Sequence, residues 1–298
     1  MAIEDRLGIS EEEIQRQLKK SFSSAYLVNL HFEKKPEIDR GALLRSMRRY
    51  CGKVEMPGPR GDGCLLLFHA DHQVRYPQGP VPAAFTLLGP VPERRSGGEP
   101  KPTPAEASYQ QSWQWRDAKA TVDACPFSMM ASDMPSGARL DYKERIELYR
   151  NSLRAVLEVV DCKAIHFTTS QQFVKPSEFL KSFAKPTSDV LYGAMNVRCF
   201  NIEGSEDLVM DTLGLAAIGL PDVQCHFRGL DRDAVAGMLY RAGHYIYENG
   251  DILRDGETIQ GIAPRDRWKC RPELSIAEPL RRVIDITPDG PHAGGNRE

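Results

Sequence analysis

Apolar residues at three- and four-residue steps mark the clearest helix in the chain. Between Asp141 and Val160, the residues Tyr142, Ile146, Tyr149, Leu153, Val156 and Val160 form a single stripe. Ser10 followed by Glu11, Glu12 and Glu13 reads as a capping box that opens a short helix over 11–20, with Ile14 and Leu18 on one face. Asp39 caps a helix carrying Leu43, Leu44, Met47 and Tyr50, and Gly52 supplies its left-handed stop. Asp231 and Gly250 bracket another helix, whose inner face is Val235, Met238, Leu239, Ala242 and Ile246. Helical spacing also recurs over 105–124, around Tyr109, Trp113 and Val122, and Pro176 opens a short helix running to about Phe183. Trp113 and Trp115, two apart, lie on different helix faces, so one is core and the other, if exposed, marks a contact surface.

Short apolar runs too brief for helices predict strands over 25–32, 126–131, 162–167, 195–202, 208–213 and 223–227, with closing strands near 257–262, 268–271 and 282–286. The stretches 53–56, 64–69 and 73–76, punctuated by Pro and Gly, read as an antiparallel meander. Hairpins outnumber crossover units, so the expected class is α+β, with mixed, largely antiparallel sheets and helices packed on one face. A loose recurrence of strand, helix, meander and helix admits a duplicated α/β sandwich. The predicted organisation is an N-terminal helix (1–22), a first α+β half (23–125) with a Pro/Gly-rich insertion at 89–104, a second half (126–286) and a disordered tail (287–298).

Composition adds mainly exclusions. The 298 residues are 41% hydrophobic and 27% charged, which rules out fibrous and wholly disordered classes. A formal net charge of −2 gives no long-range attraction for a polyanion, so general nucleic-acid binding is not expected. The basic cluster Arg45, Arg48, Arg49 and Lys53 surrounds a helix end, where it complements the macrodipole. No apolar run reaches the roughly 18 residues a spanning helix needs, and the charged start of the chain lacks the apolar core of a secretory leader. Seven scattered cysteines without a C-x-x-C pair fit free thiols in a reducing cytoplasm, and no cofactor or metal is expected.

Phosphate-cradle, nucleophile-elbow and zincin motifs are missing from the sequence. The densest polar stretch, 196–229, carries Glu203, Glu206, Asp207, Asp211, Asp222, Cys225 and His226. Carboxylates beside a Cys-His pair are the ingredients of a metal or thiolate site. Adjacent positions on a strand, however, point Cys225 and His226 to opposite faces. His166, at a strand end near Ser170, is a candidate general base, and its structural alternative is a strand-end histidine before a turn.

The stretches Ala194-Met195-Asn196-Val197-Arg198, Met210-Asp211-Thr212-Leu213-Gly214-Leu215, Gly219-Leu220-Pro221-Asp222-Val223-Gln224-Cys225-His226-Phe227 and Asp255-Gly256-Glu257-Thr258-Ile259-Gln260-Gly261 resemble a bacterial family described as domain of unknown function 4261. With Pro80-Val81-Pro82 and residues 113–125 upstream, the resemblance extends over 60–286 and is most specific in the C-terminal third. It implies a bacterial cytosolic setting and a binding protein of the kind found near secretion and toxin loci, with no catalytic residues to carry over. Two functional expectations follow. The favoured one is a cytosolic protein-binding protein, of the immunity or adaptor kind, that neutralises or carries a toxin or effector through an acidic surface of Glu203, Glu206, Asp207 and Asp211. The other is a hydrolytic or metal-dependent enzyme whose site assembles from His166, Asp211, Asp222 and His226.

Overall fold

The computed structural model describes residues 10–58, 63–92, 106–184 and 189–295. In chain order its elements begin with α1 (Glu11–Ser21), β1 (Leu27–Phe32), α2 (Arg40–Cys51), β2 (Val54–Glu55), β3 (Cys64–Tyr76) and β4 (Gly79–Pro92). They continue with α3 (Glu106–Gln110), α4 (Ala118–Asp123), β5 (Phe127–Ser132), α5 (Met134–Gly137), α6 (Tyr142–Leu157), β6 (Ala164–Phe167), β7 (Gln172–Val174) and α7 (Pro176–Lys181). The remainder is β8 (Asn196–Asn201), β9 (Leu208–Leu213), β10 (Asp222–Phe227), α8 (Arg232–Asn249), β11 (Thr258–Ile259), β12 (Trp268–Leu274) and β13 (Arg282–Thr287).

The class is α+β, with two largely antiparallel sheets and helices packed around them. The chain divides into one unit of Ser24–Ala194 and another of Met1–Ser23 with Met195–Glu298. This replaces the predicted division at 125/126, because β5 pairs on one side with β1 and on the other with β4. Those hydrogen bonds tie residue 127 onward to the strands before it. The N-terminal helix likewise joins the later unit, through the bond from Ser23 N to the Ala217 carbonyl at 3.0 Å.

In the Ser24–Ala194 unit the seven-stranded order is β2-β3-β4-β5-β1-β6-β7. Pairing registers place Leu87, Ala131, Val28 and Phe167 in one row, and Leu88, Met130, Asn29, His166 and Phe173 in the next row, on the opposite face. Over the first face lies α6, whose Tyr149 meets the Phe85 and Tyr26 rings edge-on and donates its hydroxyl to the Ala131 carbonyl at 2.9 Å. Helix α2 packs on α6, and Glu158 just beyond α6 accepts from Ser46 Oγ at 2.6 Å. The second face is covered around α3 and α4: Trp115, Ala118 and Val122 enclose Ala164 and Phe173, and Tyr109 stacks on Phe173. Helices therefore occupy both faces of this sheet, where one covered face was predicted. The cause is the apolar end of the second face, where Ala164 and Phe173 need cover, while Leu88, Met130 and Asn29 further along stay half-buried.

In the other unit the order is β11-β12-β13-β10-β9-β8, with β10 and β13 parallel. Its strand number, order and parallel pair differ from those of the first sheet, so the two halves do not repeat one topology. Helix α8 packs on β8, β9 and β10 through Val235, Met238, Leu239, Ala242 and Ile246.

Two other expectations are corrected. Pro90, Val91 and Pro92, assigned to the 89–104 insertion, belong to β4, where Val91 and Pro92 pair with Ser128 and Phe127; residues 93–104 lie outside the described residues. The tail predicted as disordered is held as far as residue 295. Arg228 N donates to the His292 carbonyl at 3.0 Å, Gly294 N to the His226 carbonyl at 2.9 Å, and Ala293 bridges to Phe227. The remaining 296–298 lie outside the described residues.

Gly193 has a φ of 81°, and a Cβ there would sit 2.5 Å from the Phe167 ring. Gly193→Ala is expected to destabilise the protein by about 1–3 kcal/mol, read as a lowered midpoint in urea unfolding.

Candidate functional site

A polar row crosses the second sheet. Arg198 on β8 stands opposite Asp211 on β9, Asp211 opposite Gln224 on β10, Gln224 opposite Asp285 on β13, and Asp285 opposite Arg271 on β12. Opposed residues share a face, so five strands present one continuous polar line. The alternate positions, Val197, Met210, Val223, Cys225 and Ile284, are apolar and buried, which gives α8 an apolar face to pack on.

The row is not open to water: Asp211, Gln224 and Asp285 are completely buried, and Arg198 nearly so. Charges in that position need partners, because desolvation costs each ion several kcal/mol. Arg198 grips Asp211 with both prongs, Nε to Oδ1 at 2.9 Å and Nη2 to Oδ2 at 2.7 Å. Arg281 reaches the same carboxylate, Nη2 to Asp211 Oδ2 at 2.6 Å, and bonds Asp222 Oδ2 through Nε at 3.1 Å. Burial acts to lower the Arg281 pKa, but Asp211 and Asp222 hold it above its ordinary value and keep the guanidinium charged. Asp222 also accepts from Thr212 Oγ1 at 2.9 Å and from the backbone N–H groups of Leu215 and Ala216, which fixes the turn after β9.

Both arginines also donate to the segment 275–281, while Arg281 Nη2 in addition binds the Thr212 carbonyl at 2.7 Å. Arg198 Nη1 binds the Glu278 carbonyl at 2.8 Å; Arg281 Nη1 binds the carbonyls of Ala277 at 3.2 Å and Pro279 at 2.9 Å. Gln224 Oε1 accepts from Ile276 N at 2.7 Å. The loop backbone is thus pinned at four successive residues, while Ile276, Glu278 and Pro279 face outward. Ile276 is 39% exposed, among the large apolar side chains most open to solvent.

The residues singled out by sequence fall into three places. Asp211 and Asp222 come together around Arg281. His226 is half-buried, with Nε2 at 3.0 Å from Asp207 Oδ2, and Cys225 beside it is fully buried. Asp207 accepts Gly295 N at 2.7 Å and pairs with Arg228 at 2.9 Å; the Gly295 N–H, ahead of Arg228, holds its carboxyl below the usual range. His166 belongs to the Ser24–Ala194 unit, stacked on Phe173 at 4.3 Å between centroids, with Nε2 at 3.3 Å from Ser108 Oγ. Ser170 donates to the Gly193 carbonyl at 2.6 Å and is itself fully buried.

The acidic surface is corrected accordingly. Glu203 and Glu206 are exposed in the turn between β8 and β9, whereas Asp207 and Asp211 are buried and neutralised by arginine. Sequence reasoning did not single out Arg281, Gln224 or Asp285, and gave Arg198 no role. The signal present was a polar residue between apolar neighbours in each strand, but that alternation reads equally well as a solvent face. Among the described residues, no group of three or more His, Cys, Asp or Glu is arranged to hold a metal ion. No described helix is long and apolar enough to cross a membrane.

Asp211 and Arg281 also bound, nearly end to end, a stretch that is shared with other proteins. Residues 211–287 match the family model described as a domain of unknown function (DUF4261). The match spans about a quarter of the chain and contains Asp211, Asp222, Gln224, Arg281 and Asp285, so the resemblance read over 60–286 is established for its C-terminal part. Neither a curated protein nor a solved structure matches the chain.

Two outcomes follow. Arg281→Met, which leaves two carboxylates buried beside a single arginine, is expected to lower unfolding free energy by about 3–5 kcal/mol in urea titrations. Burial, with His31 adding to it for His166 and His72 for His69, pushes both imidazoles down to about 4. The unfolded chain then binds more protons between the unfolded value near 6.5 and the folded value near 4. Stability contributed by these neutral rings is full above about pH 6.5 and is lost as pH falls toward 4, by about 3 kcal/mol for each. Unfolding titrations at pH 7 and pH 5 check this, and His166→Phe is expected to flatten the difference.

Proposed function

We propose that this chain is a protein-binding protein, of the immunity or adaptor kind that neutralises or carries a toxin or effector, and that it meets its partner through segment 275–281. The observation that carries this reading is the clamp itself. Four buried charged side chains and a buried glutamine fix the backbone of one surface loop, while its Ile276, Glu278 and Pro279 side chains are left to solvent. Recognition elements are commonly loops held by a rigid scaffold, because a preset backbone loses little entropy on binding. A central apolar side chain with a charged neighbour matches the make-up of an interface core and rim. Glu203 and Glu206 remain as an exposed acidic turn that favours approach of a basic partner.

The test is native mass spectrometry of the full chain purified gently from its host, with and without chelator, followed by affinity measurement on the captured partner. A stoichiometric protein adduct that survives chelation is expected. Ile276→Asp is expected to weaken it at least about tenfold with an unchanged thermal midpoint. Unchanged affinity in that variant overturns the assignment of the loop, and a mass loss on chelation with no protein adduct overturns the binding reading.

A further inference from the structure

A small cavity in the Ser24–Ala194 unit lies where several departures from regular structure meet. Strand β3 changes register between His69 and Gln73, and Met134, at the start of α5, has a φ of 54°. Bulges and left-handed non-glycine residues concentrate beside functional sites because both re-aim side chains. Gly137 closes the same corner, and a Cβ there would collide with the Asp133 carboxylate. Asp133 is immobilised from two sides, accepting Tyr26 N at 2.6 Å and Arg145 Nε at 2.6 Å.

The cavity wall includes His69, Ala83, Phe85, Asp133, Tyr149 and Ser152, and the space admits about one water molecule. His69 is 1% exposed and places Nε2 at 3.3 Å from Ser152 Oγ. Its Nδ1 is buried without a hydrogen-bond partner in the protein. A neutral imidazole offers one N–H and one bare nitrogen, so in either tautomer Nδ1 is a polar atom that needs a partner. An apolar occupant would leave it unpaired, and a larger polar one would not fit. We propose that this cavity binds a single ordered water molecule, hydrogen-bonded to His69 Nδ1 and to a second polar group of the wall. Ser152 Oγ and the Asp133 carboxylate are the wall groups able to complete its coordination. The water joins β3 to α6 and the α5 turn as an integral part of the unit.

The test is a crystal structure of the full chain at about 1.8 Å or better, with water relaxation dispersion in solution beside it. A density peak is expected at about 2.7–3.2 Å from His69 Nδ1. The wild-type protein is expected to show a long-lived internal water that His69→Phe lacks. A cavity without density, an Nδ1 bonded to a protein group, or a wild-type protein with no long-lived internal water overturns the proposal. The wild-type readings decide it whether or not His69→Phe folds.

Discussion

The guanidinium of Arg281, held between Asp211 and Asp222 with none of the three exposed, is the constraint on which the second sheet depends. Removing three ions from water is expensive, and their mutual attraction in the interior does little more than offset that expense. Such a cluster adds little net stability compared with an apolar core of the same volume. What it supplies is uniqueness. Two carboxylates and two arginines have few arrangements in which every charge and every donor is met, and the observed one also consumes the carbonyls of residues 277–279. A shifted register between β9 and β10 would separate Asp211 from Asp222 or turn one of them to the apolar face. The ion pairs thus specify strand pairing as well as loop conformation.

The elements legible in the sequence are those set by local signals. Ser10, Asp39 and Asp231 cap helices because their side chains reach N–H groups two or three residues on, which is a matter of spacing alone. Gly52 and Gly250 end helices because they tolerate the positive φ found there. Where neighbours elsewhere in the chain decide the outcome, the sequence misleads. Pro80 and Pro82 argue against a strand, yet β4 accommodates them because β5 pairs with it only from Thr86 onward. The single helix expected over 105–124 breaks at Ser112, whose hydroxyl donates to the Ser108 carbonyl and accepts from Phe173 N on β7.

The candidate site divides in the same way. That Cys225 and His226 point apart follows from strand geometry, and the placement of Cys225 in the core needs no partner to be named. Asp207 and Asp211 looked like surface acids because a sequence shows charge but not burial. Their neutralising partners, Arg228 and Arg281, lie 21 and 70 residues away. A carboxylate between apolar neighbours in a strand has two readings, a solvent-facing position or a buried one with a distant cation. Only the pairing register separates them. His166 illustrates the converse: burial, with His31 adding to it, lowers its pKa to about 4 and makes it a weaker base than its place at a strand end suggests, while its ring stacks on Phe173.

The family match and the physical unit do not coincide, and the difference is informative. Residues 211–287 supply Arg281 and both of its carboxylates, but not the sheet edge: β8 pairs with β9 along six residues and contributes Arg198. Without Arg198, Asp211 would keep one cation instead of two, and the Glu278 carbonyl would lose its donor. Asp207, just upstream of the match, anchors Gly295, just downstream of it, so the segments on either side of the shared stretch are fastened to each other. The shared core therefore holds the minimum that fixes loop 275–281, and its flanks complete the burial that makes those charges worth pairing. The clamp fixes the loop through its backbone carbonyls and one backbone N–H, so the outward side chains of Ile276, Glu278 and Pro279 are not what it grips.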